Sequence, residues 1–414
     1  MRTNYICKKK IMLLEGQIRE VFDYQAAYYK SIPTGTPRTI LDSLDLTDTH
    51  VKIISGIRRC GKSTLLRQLS AKKNSDCFLS FEDPRLTQFE VNDFFKLEKI
   101  FQEREPSTIY FLDEIQHVEG WERFIRVLHD KKTRVVLSGS NASILSRELG
   151  ASLTGRQITY ALFPFSYAEY LAHRNQESGL DSFSGYLQLG GFPEYLTSTN
   201  ENVLISLYND LIYRDIIVRH GLRNAKVVRE LGVYLATNIG KEFSYNKLAG
   251  IFELGSVNTA LSYLSYFEDA YLFFAIPRFS WSGKQQARNP KKIYGIDTGL
   301  MRILSLSFSG NQGRLLENIV YIELKRRGKE IFYYRSRNEC DFVSVSKRKV
   351  EMLIQVCFEL NTDNLQRELA GLTEAMDELD VETGFIFTMN QDDRIVQGKK
   401  TIIVKPVWKW MLEE

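Results

Sequence analysis

The residues best suited to chemistry lie in Val51 to Leu66, VKIISGIRRCGKSTLL, and the run from Gly56 to Ser63 fits G-x-x-x-x-G-K-[ST] without a mismatch. That pattern is a loop that cradles phosphates. Gly56 and Gly61 let the backbone of Ile57, Arg58, Arg59 and Cys60 curl so that successive amides turn toward phosphate oxygens. A helix opening near Lys62 adds the positive end of its dipole. Lys62 is then expected on the β- and γ-phosphates and Ser63 on Mg²⁺, with Thr64 completing the loop. The competing reading is a phosphate nest with a purely structural role. The strand before the loop and the helix after it are what the binding motif requires.

Two carboxylates downstream extend the constellation. Ser107 to Asp113, STIYFLD, reads as a buried strand ending in Asp113-Glu114. This is the Walker B arrangement, in which the aspartate holds the Mg²⁺ shell and the glutamate polarises an attacking water. Another strand, Val135 to Leu137, runs into Ser138-Gly139-Ser140-Asn141. Asn141 is either a water-orienting amide beside the γ-phosphate or a helix cap, and the two roles are compatible. Arg156, on the turn Leu153-Thr154-Gly155-Arg156, could stabilise γ-phosphate charge in its own subunit or a neighbour's, with a plain surface arginine as the other reading. Arg147 is a weaker candidate for the same role. Cys60 reads as a small filler residue in preference to a redox switch.

These side chains need an α/β scaffold. Strands at Val51, Cys77 to Phe81, Ser107 to Asp113 and Val135 to Leu137 alternate with helical stretches, which predicts a three-layer domain with a mostly parallel sheet over 38–160. Helix Gly120 to His129 carries Trp121, Phe124, Ile125 and Leu128 on one face. Residues 1–37 form a leader with helical spacing in Ile11, Leu14, Ile18 and Val21. Residues 161–225 form a helical lid or connector whose apolar stripe is Leu207, Leu211, Ile212, Ile216 and Ile217, with Arg214, Asp215 and Arg219 as a solvated face or internal ion pairs.

Residues 226–300 read as a winged helix. The third helix, Ser256 to Asp269, offers Asn258, Ser262 and Ser265 on its exposed face and no cation, so DNA contact falls to Arg278, Lys284, Arg288 and Lys291 on the loop Arg278 to Lys291. Protein contact or rigid linkage is the equal alternative. Residues 301–414 form a further α/β domain: helix Leu315 to Arg327, strands Ile331 to Arg335, Asp341 to Val345 and Met352 to Glu359, helix Leu365 to Leu379 and strand Gly384 to Thr388. Glu317 and Asp341 stand where metal-dependent nucleases of the PD-(D/E)XK type keep carboxylates. The third strand reads Gln355-Val356-Cys357 in place of carboxylate-x-lysine, so nuclease activity is not expected.

The chain has 414 residues, 43% hydrophobic and 26% charged, with a net charge of +4. Its length predicts two or three domains, and its mild basicity permits an acidic partner without demanding one. Neither an apolar run of spanning length nor a signal peptide is recognisable, so a cytoplasmic protein with no membrane partner is predicted. The five cysteines are scattered, which argues against zinc and a disulfide framework.

The runs GIRRCGKSTLL, YFLDEIQ, LSGSNA, LTGR, GGFPEYL, IYGIDTGL, LENIVYIEL, ECDFV and LIQVCFEL together resemble the prokaryotic AAA-type ATPases fused to a C-terminal domain of unknown function. The likeness covers nearly the whole chain, from about Arg38 to Leu412. It implies ATP and Mg²⁺ as cofactors and a P-loop ATPase of the AAA superfamily, followed by a winged helix and a restriction-endonuclease-like domain. Residue by residue it gives Gly56, Gly61, Lys62, Ser63 and Thr64 to the phosphate loop, Asp113 and Glu114 to Walker B, Asn141 to the sensor position and Arg156 to the finger. Two functions stay open: an ATP hydrolase acting on its C-terminal domains, on DNA, and a nucleotide-gated switch recruiting a protein or nucleic acid. Oligomeric state is open under both.

Overall fold

The computed structural model describes residues 12–105, 109–139, 155–306 and 312–413. The chain divides into two compact units, Met1–Gly56 with Gly61–Leu162, and Ile57–Cys60 with Phe163–Glu414.

In the first unit, strands β1 (Val51–Ser55), β2 (Phe78–Ser80), β3 (Ile109–Asp113), β4 (Arg134–Gly139) and β5 (Gln157–Ala161) form one sheet in the order β2-β3-β4-β1-β5. Every pairing is parallel. β1 and β3 are buried along their whole length, as a parallel sheet covered on both faces demands. Helices α1 (Glu15–Ser31), α2 (Lys62–Lys72), α3 (Phe94–Arg104) and α4 (Trp121–Asp130) flank it. Trp121, Phe124, Ile125 and Leu128 of α4 are buried as their spacing predicts, and Phe124 stacks on Phe94 of α3 at 4.5 Å. Ile18, Val21 and Phe22 of α1 join the same core. This is the expected α/β fold with a parallel sheet. The edge strand β5 was not foreseen, because its half-exposed residues give little apolar signal.

The second unit opens with helices Tyr167–Arg174, Leu180–Leu189, Pro193–Ser198 and Glu201–Asp210. The last continues into Leu211–Val218, wound as a π-helix, which buries Leu211, Ile212, Ile216 and Ile217 together with Asp215. Helices Ala225–Thr237, Tyr245–Ile251 and Val257–Asp269 follow, with a small antiparallel sheet of β6 (Glu242–Phe243), β7 (Phe273–Pro277) and β8 (Lys291–Gly295) in the order β6-β8-β7. The segment Arg278 to Lys291 differs from the expected loop, since Gly283–Arg288 is helical. On Val257–Asp269 only Asn258 of the three polar candidates is exposed, while Ser262 and Ser265 are half-buried.

The remaining strands, β9 (Glu330–Arg335), β10 (Glu339–Ser346), β11 (Lys349–Val356), β12 (Thr383–Thr388), β13 (Asp393–Gln397) and β14 (Lys400–Pro406), form a six-stranded mixed sheet. Helices Gln312–Arg326 and Leu365–Glu378 accompany it. β11 stops at Val356, short of the expected Glu359, and the hairpin β13–β14 had no counterpart in the sequence reading.

Two sequence motifs turn out to be halves of one joint in this unit. Asp297 caps helix Thr298–Leu304 by accepting from the Leu300 amide at 2.9 Å, and it also accepts from the Gly191 amide at 2.6 Å. Gly299 lies so close to the preceding chain that a Cβ there would fall 2.1 Å from the Leu189 carbonyl oxygen. GGFPEYL and IYGIDTGL therefore owe part of their composition to packing.

Candidate functional site

The phosphate-loop sequence makes a tight turn between β1 and α2, and Gly61 caps α2 with φ of +100°. A side chain at that φ would be strained, and its Cβ would stand 3.3 Å from the Arg38 guanidinium. Lys62, the first residue of the helix, is buried, and its Nζ donates to the Gly56 carbonyl at 3.2 Å. The same nitrogen lies 4.0 Å from Glu114 Oε1.

Asp113 ends β3 at 1% exposure. Ser80 donates to its Oδ2 at 3.1 Å, Ser138 donates to its Oδ1, and the Ser63 hydroxyl supplies a third bond. Burial, and then the adjacent Glu114, push the Asp113 carboxyl up to about 6 against the pull of these hydroxyls. Glu114 adopts a left-handed backbone, φ +50°, a conformation that costs a non-glycine residue about 1–3 kcal/mol and gathers at functional sites. Its amide donates to Ser138 Oγ at 3.3 Å, and the Gln116 amide donates to its carboxylate. Lys62, Ser63, Asp113 and Glu114 thus converge at the C-terminal ends of β1 and β3, the edge where open parallel sheets bind ligands.

Ile57 and Cys60 are buried at the loop tip, and Cys60 is not in a disulfide. That tip groups with the second unit. Arg58 makes a two-pronged ion pair with buried Asp215, Nε to Oδ2 at 2.6 Å and Nη2 to Oδ1 at 3.2 Å, and Arg219 adds a contact at 3.3 Å. Arg59 pairs with Asp210 at 3.0 Å. Of the options the sequence left for Asp215 and Arg219, the internal ion pair is the one formed.

Asn141 and Arg147 lie outside the described residues. Arg156 is exposed, 3.8 Å from Asp130. It precedes β5, whose Gln157 pairs with Val51 at the start of β1, so Arg156 stands at the end of the sheet opposite the phosphate loop. The structure does not bring it to Lys62 and Asp113 of its own chain.

Sequence reasoning missed Arg38, Ser80, Gln116 and the part played by Ser138. Ser80 pairs in register with Asp113, so a hydroxyl residue closing each neighbouring strand was the available signal. Gln25 of α1 supports Ser80, accepting from its amide at 2.8 Å and donating to its carbonyl at 3.0 Å.

The second constellation also assembles, with one added member. Glu317 and Asp341 meet across the ammonium of Lys292, a residue of β8 whose one distinguishing mark in the sequence is its place beside apolar Ile293 and Tyr294. Gln355, which stands where the third strand would carry a carboxylate, is otherwise engaged. Its Oε1 accepts from the Asp341 amide at 3.3 Å and its Nε2 donates to Glu368 at 2.7 Å. Burial pushes the Cys357 thiol up to about 11, which keeps it neutral. Among the described residues no group of three or more His, Cys, Asp or Glu is placed to hold a metal ion, and no helix is long and apolar enough to cross a membrane.

Residues 48–171 match the model of an AAA domain, and residues 180–311 match that of a domain of unknown function (DUF8612). The uncharacterized protein MJ1544 of Methanocaldococcus jannaschii is 34% identical over 403 residues, covering 89% of this chain and 90% of that one. An uncharacterized protein of Haemophilus influenzae is 32% identical over 347 residues, covering 76% and 85%. Among solved structures, the replication initiator DnaA bound to AMPPCP and single-stranded DNA aligns at 15% identity and a TM-score of 0.26, covering 55% of this chain and 85% of that one. AMPPCP-bound DnaA from Aquifex aeolicus aligns at 15% identity and a TM-score of 0.26, covering 64% and 93%. With a P-loop AAA domain ahead of a domain of unknown function, the chain belongs to the same family as MJ1544 of M. jannaschii.

Proposed function

We propose that this protein binds ATP with Mg²⁺ and hydrolyses it, using the change in nucleotide state to act on its C-terminal region. The observation that carries this reading is the convergence of Lys62, Ser63, Asp113 and Glu114, with Asp113 held by three hydroxyls and Glu114 in a strained backbone at the strand end. Lys62 would neutralise the β- and γ-phosphates. Ser63 and Asp113 offer the hydroxyl and carboxylate oxygens that Mg²⁺ takes while keeping several waters, and the bound ion would offset charge on the phosphate oxygens. Glu114 would accept the proton of the attacking water, held in place by Gln116 and Ser138. Asn141 as a sensor and Arg156 as a finger remain part of the proposal, Arg156 acting on a neighbouring subunit.

Residues 226–300 are read as a winged helix that touches DNA backbone or a protein. The three helices and the three-stranded sheet support this. Residues 301–414 are read as a nuclease-like scaffold without cleavage activity, for which the engaged Gln355 and the neutral Cys357 speak. A nucleotide-gated switch with slow turnover is the alternative. ATP turnover with and without DNA, on wild type and Glu114→Gln, separates the two. Turnover that depends on Glu114 supports the hydrolase, whereas tight ATP binding with equally negligible turnover in both proteins supports the switch.

A further inference from the structure

Three carboxylates from two elements converge on a single nitrogen inside the second unit. Lys292 Nζ lies 2.7 Å from Glu339 and 3.1 Å from Asp341, both on β10, and 3.2 Å from Glu317 on helix Gln312–Arg326. The ammonium donates hydrogen bonds to Glu317 and Asp341, and Glu339 adds an ion pair. The lysine side chain is 2% exposed. The carboxylates are themselves held: Tyr294 donates to Glu317 Oε1 at 2.6 Å, the Val356 amide donates to Asp341 Oδ2 at 2.9 Å, and Arg335 pairs with Glu339 at 3.3 Å. Burial alone would lower the lysine pKa, but Glu317, Tyr294, Asp341 and Glu339 together raise it well above the usual value, which keeps the group charged.

We propose that Lys292 is a resident cation, its ammonium filling the position between Glu317 and Asp341 that a divalent metal would take and closing this carboxylate site to Mg²⁺ and Mn²⁺. The inference rests on reading the C-terminal domain as lacking cleavage activity, and it supplies a cause for that lack beyond the substitutions at Gln355 and Cys357. An ammonium ligated at 2.7–3.2 Å also spaces the oxygens more widely than the roughly 2.0–2.1 Å shell of Mg²⁺ allows. The lysine reaches the site from β8, outside the strand that would carry a nuclease lysine, so the carboxylates also tie the small sheet to the six-stranded one.

The test is Mn²⁺ binding to the full-length, nucleotide-free protein, counted by the loss of the free-Mn²⁺ spin-resonance signal, with DNA cleavage measured alongside. Wild type and Asp341→Asn are expected to bind the same number of ions. Lys292→Ala is expected to gain one site, which the double variant with Asp341→Asn loses again. A Mn²⁺ ion on wild type that Asp341→Asn removes would overturn the proposal, as would a folded Lys292→Ala that gains none. Lys292→Met, which keeps the volume of the stem, serves if the alanine variant does not fold, and the comparison of wild type with Asp341→Asn decides if neither does. Cleavage of DNA by wild type would overturn the reading of a silent domain, whereas Mn²⁺ held at Asp341 without cleavage would overturn only the resident cation.

Discussion

Asp113 is the residue whose protonation governs the proposed site. Its carboxyl sits near 6 where an ordinary aspartate is 3.8, because burial and Glu114 favour the neutral form. In the nucleotide-free protein the raised pKa therefore contributes stability that is full below about pH 4 and lost as pH rises through about 6. Metal binding reverses the preference, since an ion needs the carboxylate. Mg²⁺-ATP affinity should fall as pH drops below about 6, approaching ~tenfold per unit for one displaced proton, and calorimetry at a series of pH values should find this slope flattened in Asp113→Asn. Lys62→Ala is expected to abolish measurable Mg²⁺-ATP binding by removing a charge-assisted contact to the phosphates, whereas Glu114→Gln should bind normally and turn over at least ~100-fold more slowly. Near wild-type affinity in Lys62→Ala, or binding and turnover falling together in Glu114→Gln, would contradict these roles. Lys62, Ser63, Asp113 and Glu114, which the structure brings together, stood out in the sequence because they sit in two short local patterns, Gly56 to Ser63 and Tyr110 to Glu114. Lys292 did not, because it and its partners Glu317, Glu339 and Asp341 fall in no local sequence pattern, and only the fold brings them together.

At the scale of elements, legibility followed burial. β1, β3 and α4 announced themselves as apolar runs or faces, while the edge strands β5, half-exposed, and β13, mostly exposed, carried too few apolar residues to stand out from loop. The helix Gly283–Arg288 has no buried residue, which explains why it read as a loop. The joint between GGFPEYL and IYGIDTGL was visible as a motif but not as a contact, since a close approach of backbones leaves only glycine in the sequence. Gly299→Ala should lower stability by about 1–3 kcal/mol through forced displacement at Leu189, seen as a drop in the denaturant midpoint. An unchanged midpoint would mean that the backbone yields without cost.

Over the whole molecule, the proposed DNA contact depends on few cations. Lys284 and Arg288 are exposed, but Lys291 is half-buried and Arg278 partly covered. With about two to four phosphates contacted, binding should weaken roughly 10–100-fold between about 50 and about 200 mM salt and show little sequence preference. Titrations that discriminate strongly among sequences at physiological salt would count against this mode. The pairing of Arg58 with Asp215 bears on how the chain is made. The two residues are 157 positions apart, and ribosomes add roughly 5–20 residues per second, so the phosphate loop emerges about 8–30 s before its buried counter-ion exists. During that interval the pair between Arg58 and Asp215 cannot form. If the loop takes nucleotide as proposed, nucleotide captured in that interval would meet it before this pair has closed.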